Sequence, residues 1–387
     1  MRGEPVAEAG GFVSVPMHAP VAGKVKSVAP ALNPRGEMTP AIVIEYDPDK
    51  NQEEIHGTPC DTASLTPDEI VKAVQNAGIV GLGGAAFPTH VKMKIPEGKS
   101  VDTVVVNGCE CEPYLTTDFR VMVEQSEWIV EGARLAMKAT GAKEVIIAVE
   151  NNKPEALDAM MKVVPKGEPF SVQSLTTKYP QGAEKMLSRA LLHRDVPSGG
   201  LPSDVGMACF NVATLAQMGQ LVPKGQGLIE RVVTVSGGGV SRPGNYMMPL
   251  GTTLRFILEH AGMTDEVCAV INGGPMMGAA MPCLDVPITK GTTGLLALTK
   301  DEIRDANTQI FPCIKCARCV DACPLFLNPS MLGLLARKGR YEDMAKDYNL
   351  NDCFECGCCS YVCPSNIPLV HFFRVAKAIN RERSAPK

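Results

Sequence analysis

Fifteen cysteines punctuate this chain, and its last third holds two runs of them with one spacing. The first run, PCIKCARCVDACP, sets Cys313, Cys316, Cys319 and Cys323 in the order C-x2-C-x2-C-x3-C-P; the second, CFECGCCSYVCP, repeats it with Cys353, Cys356, Cys359 and Cys363. Three thiolates two residues apart let one tight loop cover three irons of a [4Fe–4S] cube, with its backbone N–H groups turned toward the sulfurs. The fourth cysteine lies beyond that loop's reach, and in two-cluster proteins it ligates the other cube. The expected sets are therefore Cys313, Cys316, Cys319 and Cys363 on one cube and Cys353, Cys356, Cys359 and Cys323 on the other. Pro324 and Pro364 then turn the chain away. Structural zinc uses paired C-x-x-C knuckles and needs neither the third cysteine nor the proline. Disulfides would be strained in so dense a run. Cys358 adds a thiol beside Cys359, but only Cys359 keeps both intervals.

A second candidate is the loop Gly81-Leu82-Gly83-Gly84-Ala85-Ala86-Phe87-Pro88-Thr89. It satisfies G-x-G-x-x-A formally, yet the dinucleotide fingerprint follows a strand and opens a helix. Here a helix precedes it, from Thr66-Pro67-Asp68-Glu69 to Gly78, and Pro88 interrupts the stretch after it. The feature that survives is a nest of backbone N–H groups suited to phosphate, with Lys92 placed to add charge. A tight structural loop is the equal alternative.

The elements around that loop alternate. Residues 103–107 read as a buried strand, 119–140 as a helix stopped by Gly141, 144–150 as a strand, 154–164 as a helix and 170–175 as a strand. Ligands in such sheets bind beyond the carboxyl ends of strands. There stand Cys109, Glu110, Cys111 and Glu112, either lining a cofactor cleft or forming a solvated loop.

The flanking stretches have another texture. Residues 1 to about 50 alternate short β-like runs with Gly and Pro, and APVAGKV resembles the barrel-sandwich hybrid of biotinyl and lipoyl domains. No lysine sits in a hairpin tip flanked as a swinging arm requires. The module starts mid-pattern at Met1, so a strand or two is expected to precede it. Residues 229–262 fit a β-grasp unit: strand 232–236, turn 237–239, return from Asn245, and helix 252–258 closed by Gly262. It is expected to pack between its neighbours rather than to bind a ligand. The Gly- and Met-rich stretch 271–281 reads as core and turn.

With 387 residues, 45% hydrophobic and 21% charged, the chain holds roughly two to four domains. A formal charge of −4 argues against a nucleic-acid binder. No apolar stretch approaches the roughly 18 residues of a membrane span. The cysteine content implies a reducing compartment. A basic tail, Arg374, Lys377, Arg381, Arg383 and Lys387, reads as a solvated helix end or a contact for a partner or lipid surface.

GLGGAAFPTHVK (81–92), NGCECEPYLTTDFR (107–120), YPQGAEK (179–185), GLPSDVGMACFNVATLAQM (200–218) and the tandem cysteine runs together resemble the RnfC/RsxC family, a component of the ion-translocating electron-transport complex. The resemblance covers essentially the whole chain. More distantly, the chain is similar to the flavin- and NADH-binding subunit of respiratory complex I. The fold this implies is multidomain α/β: a barrel-sandwich module (1–55), a Rossmann-like FMN/NAD(H) domain (60–225), a β-grasp module (229–290) and a helical ferredoxin-type domain with two [4Fe–4S] clusters (300–380). Carried over by residue, the resemblance places Gly81, Gly83, Gly84 and Lys92 around the FMN phosphate and ribityl chain. Asn107, Asn211 and Thr214 match other flavin contacts, Glu184 matches an acid of the nucleotide cleft, and Glu110 and Glu112 match a neighbouring acidic pair. The chain departs from the complex I pattern at Leu82 and Cys109, where that pattern has Arg and Asp.

The implied activity is electron exchange between NADH and ferredoxin coupled to Na+ or H+ transport, in a subunit peripheral to the cytoplasmic face of a membrane complex. Its partners would be the membrane subunits, with ferredoxin reached through one of them. No catalytic acid, base or nucleophile is required. Two other readings use the same modules: a soluble cobalamin reductase of propanediol metabolism, and a non-catalytic electron-relay or docking subunit.

Overall fold

A computed structural model describes residues 1–303 and 309–384; Lys387 of the basic tail lies outside them. The N-terminal stretch is all β. β1 (Pro5–Ala7) pairs antiparallel with β2 (Met17–His18), and β3 (Gly23–Leu32) with β4 (Met38–Tyr46) in a long ribbon. At the ribbon's turn the Asn33 side-chain oxygen accepts the N–H groups of Arg35 and Glu37, a local closure that Asn makes readily.

The middle of the chain builds a parallel sheet. α1 (Pro67–Asn76) opens with a capping box in which Thr66 and Glu69 satisfy each other's backbone donors. The glycine loop comes next, then the short α2 (Thr89–Met93) carrying Lys92. Strands β5 (Thr103–Gly108), β6 (Glu144–Glu150), β7 (Phe170–Leu175) and β8 (Met207–Asn211) lie in the order β7-β6-β5-β8, every neighbour parallel. Val104 and Val106 join the core on one face and Val105 the core on the other. That explains the unbroken apolar run: a parallel strand buried on both faces has no polar side to alternate.

The helix expected over 119–140 is instead two, α3 (Thr117–Glu124) and α4 (Ser126–Thr140), meeting at Gln125 with φ −127° and ψ 26°. Neither Gly nor Pro marks the break. Its cause is tertiary: the start of α3 is fixed by Thr116 and Thr117, which bond Thr234 of the next domain, while α4 packs along α7 (Val212–Leu221). That pairing depends on two glycines. A Cβ on Gly132 would lie 2.0 Å from the Leu215 carbonyl oxygen, and one on Gly219 2.1 Å from that of Trp128. α5 (Pro154–Val163) and α6 (Glu184–Leu187) complete this unit.

Beyond it, β9 (Glu230–Ser236), β10 (Gly244–Pro249), α8 (Leu254–His260), β11 (Val267–Asn272), β12 (Ala279–Ala280) and β13 (Gly294–Thr299) form a mixed sheet in the order β10-β9-β13-β11-β12. β13 is its central strand and pairs parallel with β9, so the unit runs past residue 290, the bound that the family resemblance implies.

The C-terminal unit is helical: α9 (Arg318–Asp321), α10 (Pro329–Arg337), α11 (Tyr341–Lys346), α12 (Cys358–Tyr361) and α13 (Leu369–Ser384). Leu332, Leu335, Met344, Leu350 and Phe373 form its core. The two cysteine runs trace one backbone twice. Lys315, Ala317 and Phe326 in the first are left-handed, and so are Glu355, Gly357 and Asn366 at the equivalent places of the second.

Candidate cofactor sites

The thiols of the two runs interleave. One cavity in the C-terminal unit is lined by Cys313, Cys316 and Cys319 together with Cys363, between the apolar walls Ile314, Leu334, Ile367 and Leu369. Cys319 faces the thiols of Cys363, Cys313 and Cys316, and Cys359 faces those of Cys353, Cys356 and Cys323. Cys358 sits against the Cys356 thiol. All of these cysteines are free. Among the described residues no three Cys, His, Asp or Glu side chains converge at the spacing of a single ion; the thiols of Cys313, Cys316, Cys319 and Cys363 ring a void. The left-handed residues Lys315, Ala317 and Glu355 cost about 1–2 kcal/mol each. Such strain, repeated at matched positions, marks loops bent around something. Four thiols around a cavity inside strained loops are a donor set that fits a [4Fe–4S] cube.

The second site lies at the carboxyl edge of the parallel sheet, between β5 and β8. The glycine loop is anchored through Leu82, whose N–H donates to the Thr214 hydroxyl at 2.9 Å and whose carbonyl accepts from Arg231 at 3.2 Å. Gly83, Gly84 and Ala85 are exposed, and their N–H groups have no acceptor among the described residues. Gly84 has φ +114°, and a Cβ there would meet nothing within 4 Å. A chain of free N–H groups beside open space suits a phosphate. Asn211 caps α7, accepting from the N–H groups of Ala213 and Thr214. Its amide donates to Asp118 at 2.6 Å, and its side chain lies beneath Gly83.

Lys92 pairs with Glu184 and donates to the Cys209 carbonyl at 2.7 Å. The Glu184 carboxylate offsets the cost of burying the ammonium, and the Lys92 pKa is raised. Across the edge, Asn107 donates to the Gly182 carbonyl at 2.9 Å. The acidic pair diverges. Glu110 accepts the N–H groups of Asp118 and Phe119 in the first turn of α3 at 2.8 and 3.1 Å, where a helix favours an anion. Glu112 reaches into the β-grasp unit and accepts those of Met276 and Met277 at 3.1 and 2.8 Å. The Met-rich turn is thus a contact between units. Burial, with Asp118 beside it, holds the Glu110 carboxyl above its ordinary range. Burial likewise pushes the Cys111 thiol up to about 11 and the Cys209 thiol up to about 12, and Cys109 rises as well. At neutral pH these stay protonated and inert.

Four residues that the sequence alone does not single out shape these sites. Arg231 is 2% exposed and joins the units by donating to the Lys290 and Leu82 carbonyls. Asp118 faces it. Tyr179 and Asp352 bridge the two sites: the Tyr179 hydroxyl donates to the Cys356 carbonyl at 2.6 Å, and Asp352 accepts from Lys185 at 3.1 Å.

A nucleotide-type cleft and a double cysteine ring in one chain define a flavin and iron–sulfur electron carrier. Matches to family models follow the same division: the RnfC barrel-sandwich hybrid domain over 1–49, the Nuo51 FMN-binding domain over 74–220, the SLBB domain over 232–280 and the 4Fe-4S dicluster domain over 309–367. Among relatives, the RnfC-type component of the proton-translocating ferredoxin:NAD+ oxidoreductase complex of Clostridium ljungdahlii is 43% identical over 98% of this chain and 83% of its own. Its counterpart in the Na+-translocating complex of Acetobacterium woodii is 43% identical over 97% and 84%, and that in the ion-translocating oxidoreductase complex of Rhodobacter capsulatus 40% over 100% and 75%. This chain belongs to their family, RnfC/RsxC. A chain of NAD+-reducing [NiFe]-hydrogenase shares the fold at TM-score 0.58 and 22% identity, over 84% of this chain and 62% of that one.

Proposed function

We propose that the chain is the subunit through which NAD(H) exchanges electrons in a membrane-bound ferredoxin:NAD+ oxidoreductase complex that couples the exchange to Na+ or H+ transport. Among the described residues no helix is long and apolar enough to cross a membrane. In this reading the subunit is peripheral, at the cytoplasmic face, held by the membrane subunits and reaching ferredoxin through one of them. The names of the relatives support this reading. The observation that carries it is the placing of Cys363 among Cys313, Cys316 and Cys319, in the same chain as a glycine loop with free N–H groups at a sheet edge.

Nicotinamide moves electrons in pairs, an iron–sulfur cube moves them singly, and flavin converts between the two. The protein's share is placement. The N–H groups of Gly83, Gly84 and Ala85 receive the FMN phosphate, with Gly81 closing the turn. Asn107, Asn211 and Thr214 hold the loops that line the cleft, and Glu184 with Lys92 sets its charge. Glu110 and Glu112 fix its walls, one to α3 and one to the β-grasp unit. Cys313, Cys316, Cys319 and Cys363 ligate one cube; Cys353, Cys356, Cys359 and Cys323 ligate the other.

The test is cofactor analysis of the chain prepared without oxygen, followed by NADH oxidation with ferricyanide as acceptor. About eight irons with equal sulfide and one FMN per chain are expected, with ferricyanide reduced. Zinc in place of iron and sulfide, or NADH oxidation with no FMN bound, would overturn the reading.

A further inference from the structure

The stretch from Tyr179 to Lys185 touches both the flavin cleft and the second cysteine loop. On the cleft side, Gly182 accepts from Asn107 and Glu184 pairs with Lys92. On the other side, the Tyr179 hydroxyl holds the Cys356 carbonyl and Lys185 holds Asp352, the residue immediately before Cys353. Asp352 also accepts from the Ser198 hydroxyl and, at 3.1 Å, from the Gly199 N–H. Its side chain is 14% exposed and that of Lys185 24%, too sheltered for the weak, screened pairing of surface ions. The loop from Cys353 to Cys356 is thus gripped at both ends by a segment that also closes the cleft. Among the described residues the first run has no such grip: Pro312 stands where Asp352 does, and Ile314, Lys315 and Cys316 are exposed.

We propose that Tyr179, Lys185 and Asp352 are positioning residues that seat the cube of Cys353, Cys356, Cys359 and Cys323 against the flavin cleft, making it the cube that exchanges electrons with the flavin. The inference rests on the cofactor assignment above. Each passage takes one electron from the reduced flavin and adds it to the oxidised cube. Hydride from NADH supplies the pair, and the flavin's protons leave to solvent. A rigid bridge matters because misplacing reacting centres by as little as about 1 Å costs rate steeply.

The experiment uses the full, loaded chain and the variant Tyr179→Phe/Asp352→Asn, with Lys185→Arg as the conservative control. Two quantities are read: the separate rates of flavin and cube reduction after mixing with NADH, and hydrogen exchange across residues 352–358. The double variant should reduce its flavin within about twofold of the parent rate, while cube reduction slows about tenfold, or about 1.4 kcal/mol of activation free energy. Exchange across 352–358 should quicken, and Lys185→Arg should retain parent behaviour in both. Tyr179→Phe alone, which removes a single oxygen, should show the same trend and guards against misfolding of the double variant. Unchanged exchange, or flavin and cube slowing together, would overturn the inference. A parent chain that binds no flavin or cube would instead overturn the assignment beneath it.

Discussion

Replacing Cys363 with alanine should empty the cavity of the first cysteine run, not of the run in which Cys363 stands. The cavity gathers Cys313, Cys316 and Cys319 with Cys363, and its loop turns through Lys315 at φ 58° and Ala317 at φ 62°. Two left-handed non-glycine residues cost together about 2–4 kcal/mol. Without the cube to hold it, the bent loop loses a factor of roughly thirty to several hundred in population, at about 1.4 kcal/mol per tenfold. Lys315 and Arg318 are exposed on that loop and become the sites that trypsin cuts. Iron and sulfide should fall by half, to about four irons per chain, and cleavage should appear at Lys315 and Arg318. Cys356→Ala should lose the same amount of iron and leave both sites protected. A Cys363→Ala protein that stays uncut at Lys315 would refute the crossed arrangement, because the ligands would then be grouped run by run.

Gly84→Ala forces a side chain into φ +114°, a strain of about 1–3 kcal/mol; FMN titration should show roughly tenfold weaker binding with the iron content unchanged. Glu110 is held above the 4.5 of an ordinary glutamate by burial and Asp118, so between 4.5 and its raised value the folded chain keeps a proton that the unfolded chain has lost. Stability therefore falls as pH rises through that window, and Glu110→Gln should flatten the slope of urea midpoint against pH; an unaltered slope would remove Glu110 as its source. Arg231→Met strips a buried cation from the Leu82 and Lys290 carbonyls and removes a positive charge near Asp118. A buried group left without its hydrogen-bond partner costs about 1–3 kcal/mol, so a shift below about 1 kcal/mol in denaturant unfolding would count against the network.

Local chemistry made much of the fold legible. Thr66 with Glu69 announces α1, Gly141 ends α4 with φ 74°, and the apolar runs at 103–107 and 144–150 give β5 and β6 because burial on both faces leaves nothing to alternate. The cysteine spacing carries its crossed partners because the length of the loop decides which thiols it can bring together. The features that escaped the sequence depend on partners distant along the chain. The break at Gln125 follows from where α3 meets Thr234. The divergence of Glu110 and Glu112 depends on where α3 and the Met276 turn come to lie. Arg231 reads as one polar residue in a strand until its carbonyl partners surround it. Asp352 did leave a trace: it stands where the first run has Pro312, so a charge precedes one cysteine run and not the other.

The grip on Asp352 has a bearing on how the molecule is made. Tyr179, Lys185, Ser198 and Gly199 all precede the cysteine runs, and domains fold in the order in which they leave the ribosome. The berth for the second loop is therefore finished while Cys353 is still being synthesised. The oxygen-sensitive cysteine runs arrive after it, onto a surface already shaped to receive them, which shortens the time their bare thiols spend in the open.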